Sequence, residues 1–104
     1  MVKLENAEII KNANIYYEGR VTGRTVNCAD GYRRTLGFMM AGEYEFMTQA
    51  EELIETLGGC MKVQILGQKE AVYREGGTFK VPAESRFNVI VEDYADYCCS
   101  YNEQ

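Results

Sequence analysis

The sequence predicts an all-β domain, a sandwich or a barrel built from short strands. Three observations carry that expectation. Turn-forming pairs recur at short intervals: Asp30-Gly31, Ala41-Gly42, Gly58-Gly59, Leu66-Gly67, Gly76-Gly77 and Glu92-Asp93. The runs between them alternate in character, as half-buried strands do. The aromatic content is eight Tyr and four Phe with no Trp, which suits pleated surfaces and interfaces.

Taken in order, the first dozen or so residues read as a loose helical or extended arm. Residues 1–13 are set apart as an N-terminal extension, and residues 14–104 as a single domain. The stretch Ala50 to Leu57 is ambiguous, because Leu53, Ile54 and Leu57 share one side of a helix. A helix that short does not stand alone in water. The Gly58-Gly59 pair and the alternating run Met61 to Leu66 favour a strand closed by a hairpin turn. Phe87, Val89 and Val91 share one face of a later strand, and Tyr97, Cys99 and Tyr101 one face of another. There is one proline, Pro82, and no repeat or low-complexity tract.

Composition narrows the function classes. The chain has 104 residues, of which 46% are hydrophobic, enough for one core. A net charge of −5 argues against nucleic acid as a partner, since phosphate backbones need a basic surface. No apolar run approaches a membrane span, and the first residues lack the apolar stretch of a signal peptide, so a cytoplasmic location is expected. Cys28, Cys60, Cys98 and Cys99 form no Cys-x-x-Cys pair and read as reduced thiols filling small apolar spaces. Neighbouring Cys98 and Cys99 point to opposite faces of a strand, which argues against a four-thiolate zinc site.

Two glycine frames sharpen the fold. Gly37 is followed, after five residues, by Glu43-Tyr44-Glu45, with Glu52 seven positions before Gly59. Gly76 is followed, after five residues, by Pro82, with Phe87 further on. This arrangement resembles the cupins, single-domain double-stranded β-helix (jelly-roll) barrels whose frames usually carry His-x-His and a further His as metal ligands. All three histidine positions are altered here, and the chain contains no histidine at all. Imidazole suits iron, zinc, copper or nickel. Two carboxylates and a phenyl ring do not replace it, so no metal is expected.

Longer matches point to one small family. Asn14 to Val21, Thr35-Leu36-Gly37, Gly42 to Thr48, Phe79 to Pro82, Phe87 and Tyr97 to Tyr101 together resemble the single-domain cupin family of pyrimidine/purine nucleoside phosphorylases. Ala50-Glu51-Glu52 departs from it locally, lacking a proline and being one residue shorter. The resemblance implies a pentosyltransferase that cleaves purine and pyrimidine ribonucleosides with inorganic phosphate. The products are ribose 1-phosphate and a free base. It implies broad base tolerance, phosphate as co-substrate without a further cofactor, and a homodimer.

Such chemistry needs a grip on phosphate, a grip on ribose, and a partner for the leaving base. Arg24 and Arg33, with Arg34 behind them, offer planar forks for phosphate. Thr35 and Thr48 offer hydroxyl donors. Glu43 is the candidate catalytic residue, gripping ribose hydroxyls and favouring a cationic sugar, and it is expected to face inward where the first motif histidine would stand. Glu45 shares its face by strand alternation. Tyr97 offers stacking or a hydrogen bond to the base. The alternative is a non-catalytic cupin that binds a nucleoside, nucleotide or sugar.

Overall fold

The computed structural model describes residues 2–103. Those residues form eight strands of one antiparallel sheet: β1 (Glu8–Ile9), β2 (Asn14–Tyr16), β3 (Val21–Asn27), β4 (Arg33–Met47), β5 (Glu51–Ile65), β6 (Ala71–Arg74), β7 (Thr78–Val81) and β8 (Arg86–Asn102). The order across the sheet is β1-β3-β4-β8-β5-β6, with β2 also beside β3 and β7 beside β5. The three central strands run 15, 17 and 15 residues, far beyond the usual strand of about 5–6 residues. A sheet of such strands twists and curls, and this one wraps around a single core. The expectation of an all-β barrel is met, and Ala50 to Leu57 lies almost wholly in β5 rather than in a helix.

Three of the turn signals close connections as expected. Asp30-Gly31 joins β3 to β4, Gly67 joins β5 to β6, and Gly76-Gly77 joins β6 to β7. The other three lie inside strands. Ala41-Gly42 sits in β4, Gly58-Gly59 in β5 and Glu92-Asp93 in β8. The hairpin expected at Gly58-Gly59 is therefore absent, and a bulge stands in its place. Pairing slips between Met40 and Gly42 against β8, and between Thr56 and Gly58 and again between Gly59 and Lys62 on the other side. All three irregularities face one stretch of β8, so they bend the three long strands at one level of the barrel. Gly59 is required there. Its φ is +73°, and a Cβ would run into the carbonyl oxygen of Tyr94.

The bulges reverse which side chains face inward. On β4, Thr35 and Met39 are buried before the slip, Tyr44 and Thr48 after it. On β5, Ile54 and Thr56 give way to Met61, Val63 and Ile65. The core therefore combines odd and even positions of the same strand. Met61, Val81 and Val89 are fully buried, each side chain contributing about 1.5–3 kcal/mol through removal from water. Phe87 packs against Phe46 at 5.4 Å and against Phe79 at 6.2 Å.

The arm before residue 14 is extended. β1 pairs with β3, Glu8 opposite Asn27 and Ile9 opposite Val26. Among the described residues, no helix is long and apolar enough to cross a membrane.

Candidate active site

One end of the barrel holds a cavity of about 170 Å³ lined by Thr35, Met39, Phe46, Glu52, Ile54, Met61, Phe87, Tyr97, Cys99 and Tyr101, with Tyr16 and Met47 at its rim. Outside it lies a wider mouth of about 380 Å³, which shares Tyr16, Met47, Glu52 and Tyr101 with it and adds Arg33, Gln49 and Glu103. Strand register explains why these side chains meet. Tyr101 of β8 lies opposite Glu52 of β5. One step deeper, Cys99 lies between Thr35 of β4 and Ile54 of β5. One step deeper again, Tyr97 lies between Gly37 and Thr56. Side chains on alternate residues of adjacent strands form layers on one face.

The deepest layer is shaped by glycine. A Cβ at Gly37 would collide with the Tyr97 phenol, and one at Gly23 would collide with the Thr35 methyl and crowd the Tyr97 hydroxyl. The Tyr97 ring therefore fills the space that the two glycines leave, and its hydroxyl donates to the Thr22 carbonyl at 3.4 Å. In the middle layer, the Thr35 and Tyr101 hydroxyls are hydrogen-bonded at 2.8 Å. The Cys99 thiol donates to Glu52 Oε1 at 3.3 Å. At the mouth, the Arg33 guanidinium lies 3.9 Å from the centre of the Tyr101 ring, a cation–π contact. Arg33 Nε also pairs with Glu103 Oε1 at 2.9 Å.

Electrostatics follow from burial. Loss of water pushes the Glu52 carboxyl above its ordinary value, against the lowering effects of the Cys99 hydrogen bond and the charge of Arg33. Burial likewise pushes the Cys99 thiol and the Tyr97 and Tyr101 phenols up, so all three keep their protons near neutrality. The cavity therefore presents neutral thiol and phenol groups and one partly buried carboxyl shifted upward by loss of water, with a cation at its mouth.

The sequence-derived candidates divide. Thr35 and Tyr97 line the cavity, and Arg33 stands at its mouth. Thr48 is buried elsewhere: its hydroxyl donates to the Pro82 carbonyl at 2.6 Å and accepts from Ser85 N–H at 2.9 Å, tying two loops together. Arg24 is exposed on β3, and its Nε donates to the Lys11 carbonyl at 3.2 Å, holding the N-terminal arm. Arg34 pairs with Asp30 at 3.0 Å and also donates to Ser100 Oγ.

The expectation that Glu43 faces inward is not met. Glu43 and Glu45 are both exposed, while Tyr44 and Phe46 point to the interior. Uninterrupted alternation from Thr35 and Met39 puts residues 43 and 45 inside. The slip at Gly42 turns them out, which avoids burying two unpaired carboxylates. Glu52 is the functional candidate that the sequence reading left out of its site. The signal was present, because Glu52 occupies the Glu of the first glycine frame.

The same geometry tests the metal that the cupin frame implies. Of the four frame positions, Glu43 and Glu45 face solvent, Phe87 is apolar, and Glu52 alone offers a donor inside. Among the described residues, no group of three or more Cys, Asp or Glu is placed to hold an ion. These residues do not fit a transition-metal site.

Residues 11–101 match the family model described as Pyrimidine/purine nucleoside phosphorylase. Proteins bearing that name resemble nearly the whole chain. The one from Syntrophotalea carbinolica is 50% identical over 102 residues, covering 97% of this chain and 98% of its own. The one from Clostridioides difficile is 44% identical, covering 97% of each. A crystal structure of a protein of unknown function from Acinetobacter sp. ADP1 superposes with a TM-score of 0.91 at 27% identity, covering 96% of this chain and 98% of that one. An RmlC-like cupin from Shewanella frigidimarina superposes with a TM-score of 0.70 at 15% identity, covering 93% and 84%, and shares the fold.

Proposed function

This chain belongs to the pyrimidine/purine nucleoside phosphorylase family, and from that premise we propose how its barrel cavity exchanges a base for phosphate on a nucleoside. The observation that carries the reading is the row Arg33, Tyr101 and Glu52 across three neighbouring strands at the cavity mouth. A guanidinium, with a planar fork suited to phosphate, and a carboxyl whose titration burial shifts upward flank one aromatic residue, which supports the reading.

Size sets the arrangement. The cavity is smaller than the roughly 300–1,000 Å³ usual for a ligand pocket. It takes one part of a nucleoside, and the rest lies in the mouth. Met39, Phe46, Ile54, Met61 and Phe87 offer apolar surface suited to a base. Ribose then lies level with Glu52, and phosphate lies outermost at Arg33. Contacts made mainly to flat apolar faces discriminate weakly among bases, which supports broad base tolerance.

In the reaction, a phosphate oxygen forms a bond to C1′ as the C1′–N bond breaks and its electron pair leaves with the base. Glu52 gives its proton to the departing base and regains one from the hydrogenphosphate, so the protons balance. A protonated Glu52 also removes a conflict, because a neutral acid does not repel the phosphate dianion. The mutually bonded Thr35 and Tyr101 hydroxyls lie on the cavity wall, and Tyr97 contributes its ring while its hydroxyl is taken by the Thr22 carbonyl. The transfer is of a pentosyl group, with phosphate as co-substrate, and we propose that it needs no metal.

Two further features complete the reading. The outer face of the sheet exposes Leu36, Phe38 and Met40 on β4 beside Tyr94 on β8, with Phe38 and Tyr94 stacked at 5.7 Å. A second copy of the chain covering this face gives a homodimer. The four free thiols suit a reducing compartment such as the cytoplasm.

The test is incubation of purified protein with uridine or adenosine, with and without phosphate. Base release that requires phosphate and survives EDTA is the expected result. A nucleoside-induced rise in Tm without turnover favours the non-catalytic binder instead, and turnover abolished by EDTA overturns the metal-free mechanism.

A further inference from the structure

The cation at the cavity mouth is already engaged by a carboxylate of its own chain. Glu103 stands one residue beyond the end of β8, where it lines the mouth with Arg33. Its Oε1 accepts from Arg33 Nε at 2.9 Å, across 70 positions of sequence. The contact uses one edge of the guanidinium. Among the described residues, the terminal nitrogens of Arg33 donate to no protein acceptor, while Tyr101 supports the face of the group at 3.9 Å. Both side chains are partly open to water, at 39% and 50%, so the pair is weak enough to be exchanged.

We propose that Glu103 is a built-in competitor for the anion subsite, and that it sets the affinity of the enzyme for phosphate and for its phosphorylated product. The proposal rests on the reading of Arg33 as the phosphate-binding residue. A dianion arriving at Arg33 either displaces the Glu103 carboxylate or sits beside it and is repelled. Both routes raise the phosphate concentration needed for saturation. The same competition acts on ribose 1-phosphate, whose phosphate group is held by the same fork. The return of Glu103 to Arg33 then assists product departure, a step that limits many enzymes. Glu103 thus acts as a specificity-determining residue for the anionic substrate, by occupying its place rather than by touching the reacting atoms.

The experiment compares the full chain with Glu103→Gln, Arg33→Gln and the double variant. Inorganic phosphate binding is measured by calorimetry, and initial rates are measured against phosphate at saturating nucleoside. Glu103→Gln is expected to lower the phosphate Kd and KM by about 2- to 5-fold, the range set by an exposed ion pair, and to strengthen inhibition by ribose 1-phosphate. The effect disappears in the Arg33→Gln background. An unchanged or weaker phosphate affinity in Glu103→Gln overturns the proposal, as does a gain that persists without Arg33. Arg33→Gln alone tests the underlying reading: phosphate affinity unaffected by that change removes Arg33 from the site, and the proposal with it. Raised phosphate KM in Arg33→Gln with no effect of Glu103→Gln leaves the reading standing and overturns the competitor alone.

Discussion

Replacing Glu52 with Gln separates the catalytic use of this carboxyl from its cost to the fold. The change keeps shape and volume, and the amide oxygen can still accept from the Cys99 thiol 3.3 Å away. What is lost is the proton. General acid catalysis contributes about 10²–10⁴-fold, or about 2.7–5.5 kcal/mol of barrier, so kcat is expected to fall by that factor. Stability moves the other way. Burial raises the folded-state pKa of Glu52 above its ordinary 4.5, while the Cys99 hydrogen bond and Arg33 pull against it. The stabilising contribution is then full below the unfolded value and is lost as pH rises through the folded value. Glutamine does not titrate, so the variant gains on the wild type as pH rises. The gain is of order 1 kcal/mol, limited because the carboxyl reaches the solvated mouth, and it appears as roughly 4–8 °C in Tm at pH 8. Near pH 4 the two proteins melt together. The wild-type kcat/KM also falls with rising pH through the same raised value, since the free enzyme must hold the proton. Phosphorolysis of uridine and adenosine, followed with thermal melts at both pH values, provides the readout. A variant within about 3-fold of wild-type kcat, on the scale of that 10²–10⁴-fold contribution, refutes the acid role. A Tm that drops equally at both pH values refutes the burial argument.

Three other outcomes follow from the same geometry. Glu43→Gln is expected to keep turnover within about 2-fold, because Glu43 faces solvent away from the cavity; a loss above about 10-fold brings the outer face of the sheet into the chemistry. Thr48→Ala leaves the Pro82 carbonyl and Ser85 N–H without their partner, at a cost of about 1–3 kcal/mol. That lowers Tm while leaving the nucleoside KM unchanged, and an unaltered melt contradicts the structural role. Phe38→Lys puts a charge on the exposed apolar strip of β4 beside Tyr94. Sedimentation velocity is expected to report a dimer for the native chain and a monomer for the variant, and a dimer in both places the interface elsewhere.

The strands themselves were legible because hydrophobic alternation is local. Lys62 to Ile65 and Phe87 to Ile90 read correctly since they pair in one stretch of undisturbed pleat. Glycine was less informative. Gly31, Gly67 and Gly76 mark true turns, while Gly42 and Gly59 mark bulges inside continuous strands. Both uses exploit the same conformational freedom. What distinguishes Gly59 is the approach of the Tyr94 carbonyl from a strand more than thirty residues away, and no local pattern contains that contact.

The orientation of Glu43 depends on this same ambiguity. In a pleated strand, one slipped residue exchanges the two faces for everything beyond it. Read as an unbroken strand, β4 puts Glu43 inside the barrel; read with its bulge, it puts Tyr44 in the core and Phe46 in the cavity wall. Desolvation energetics alone favours the bulged arrangement. Two carboxylates buried in one barrel without a cation carry a desolvation penalty of several kcal/mol each, whereas Tyr44 and Phe46 gain from burial. Glu52 escapes that argument. It lies next to the open end of the barrel, accepts a hydrogen bond from Cys99, and has Arg33 across the Tyr101 ring. A carboxyl survives burial where a nearby mouth and cation lower its cost, and the same position lets it hand a proton to a ligand entering from solvent.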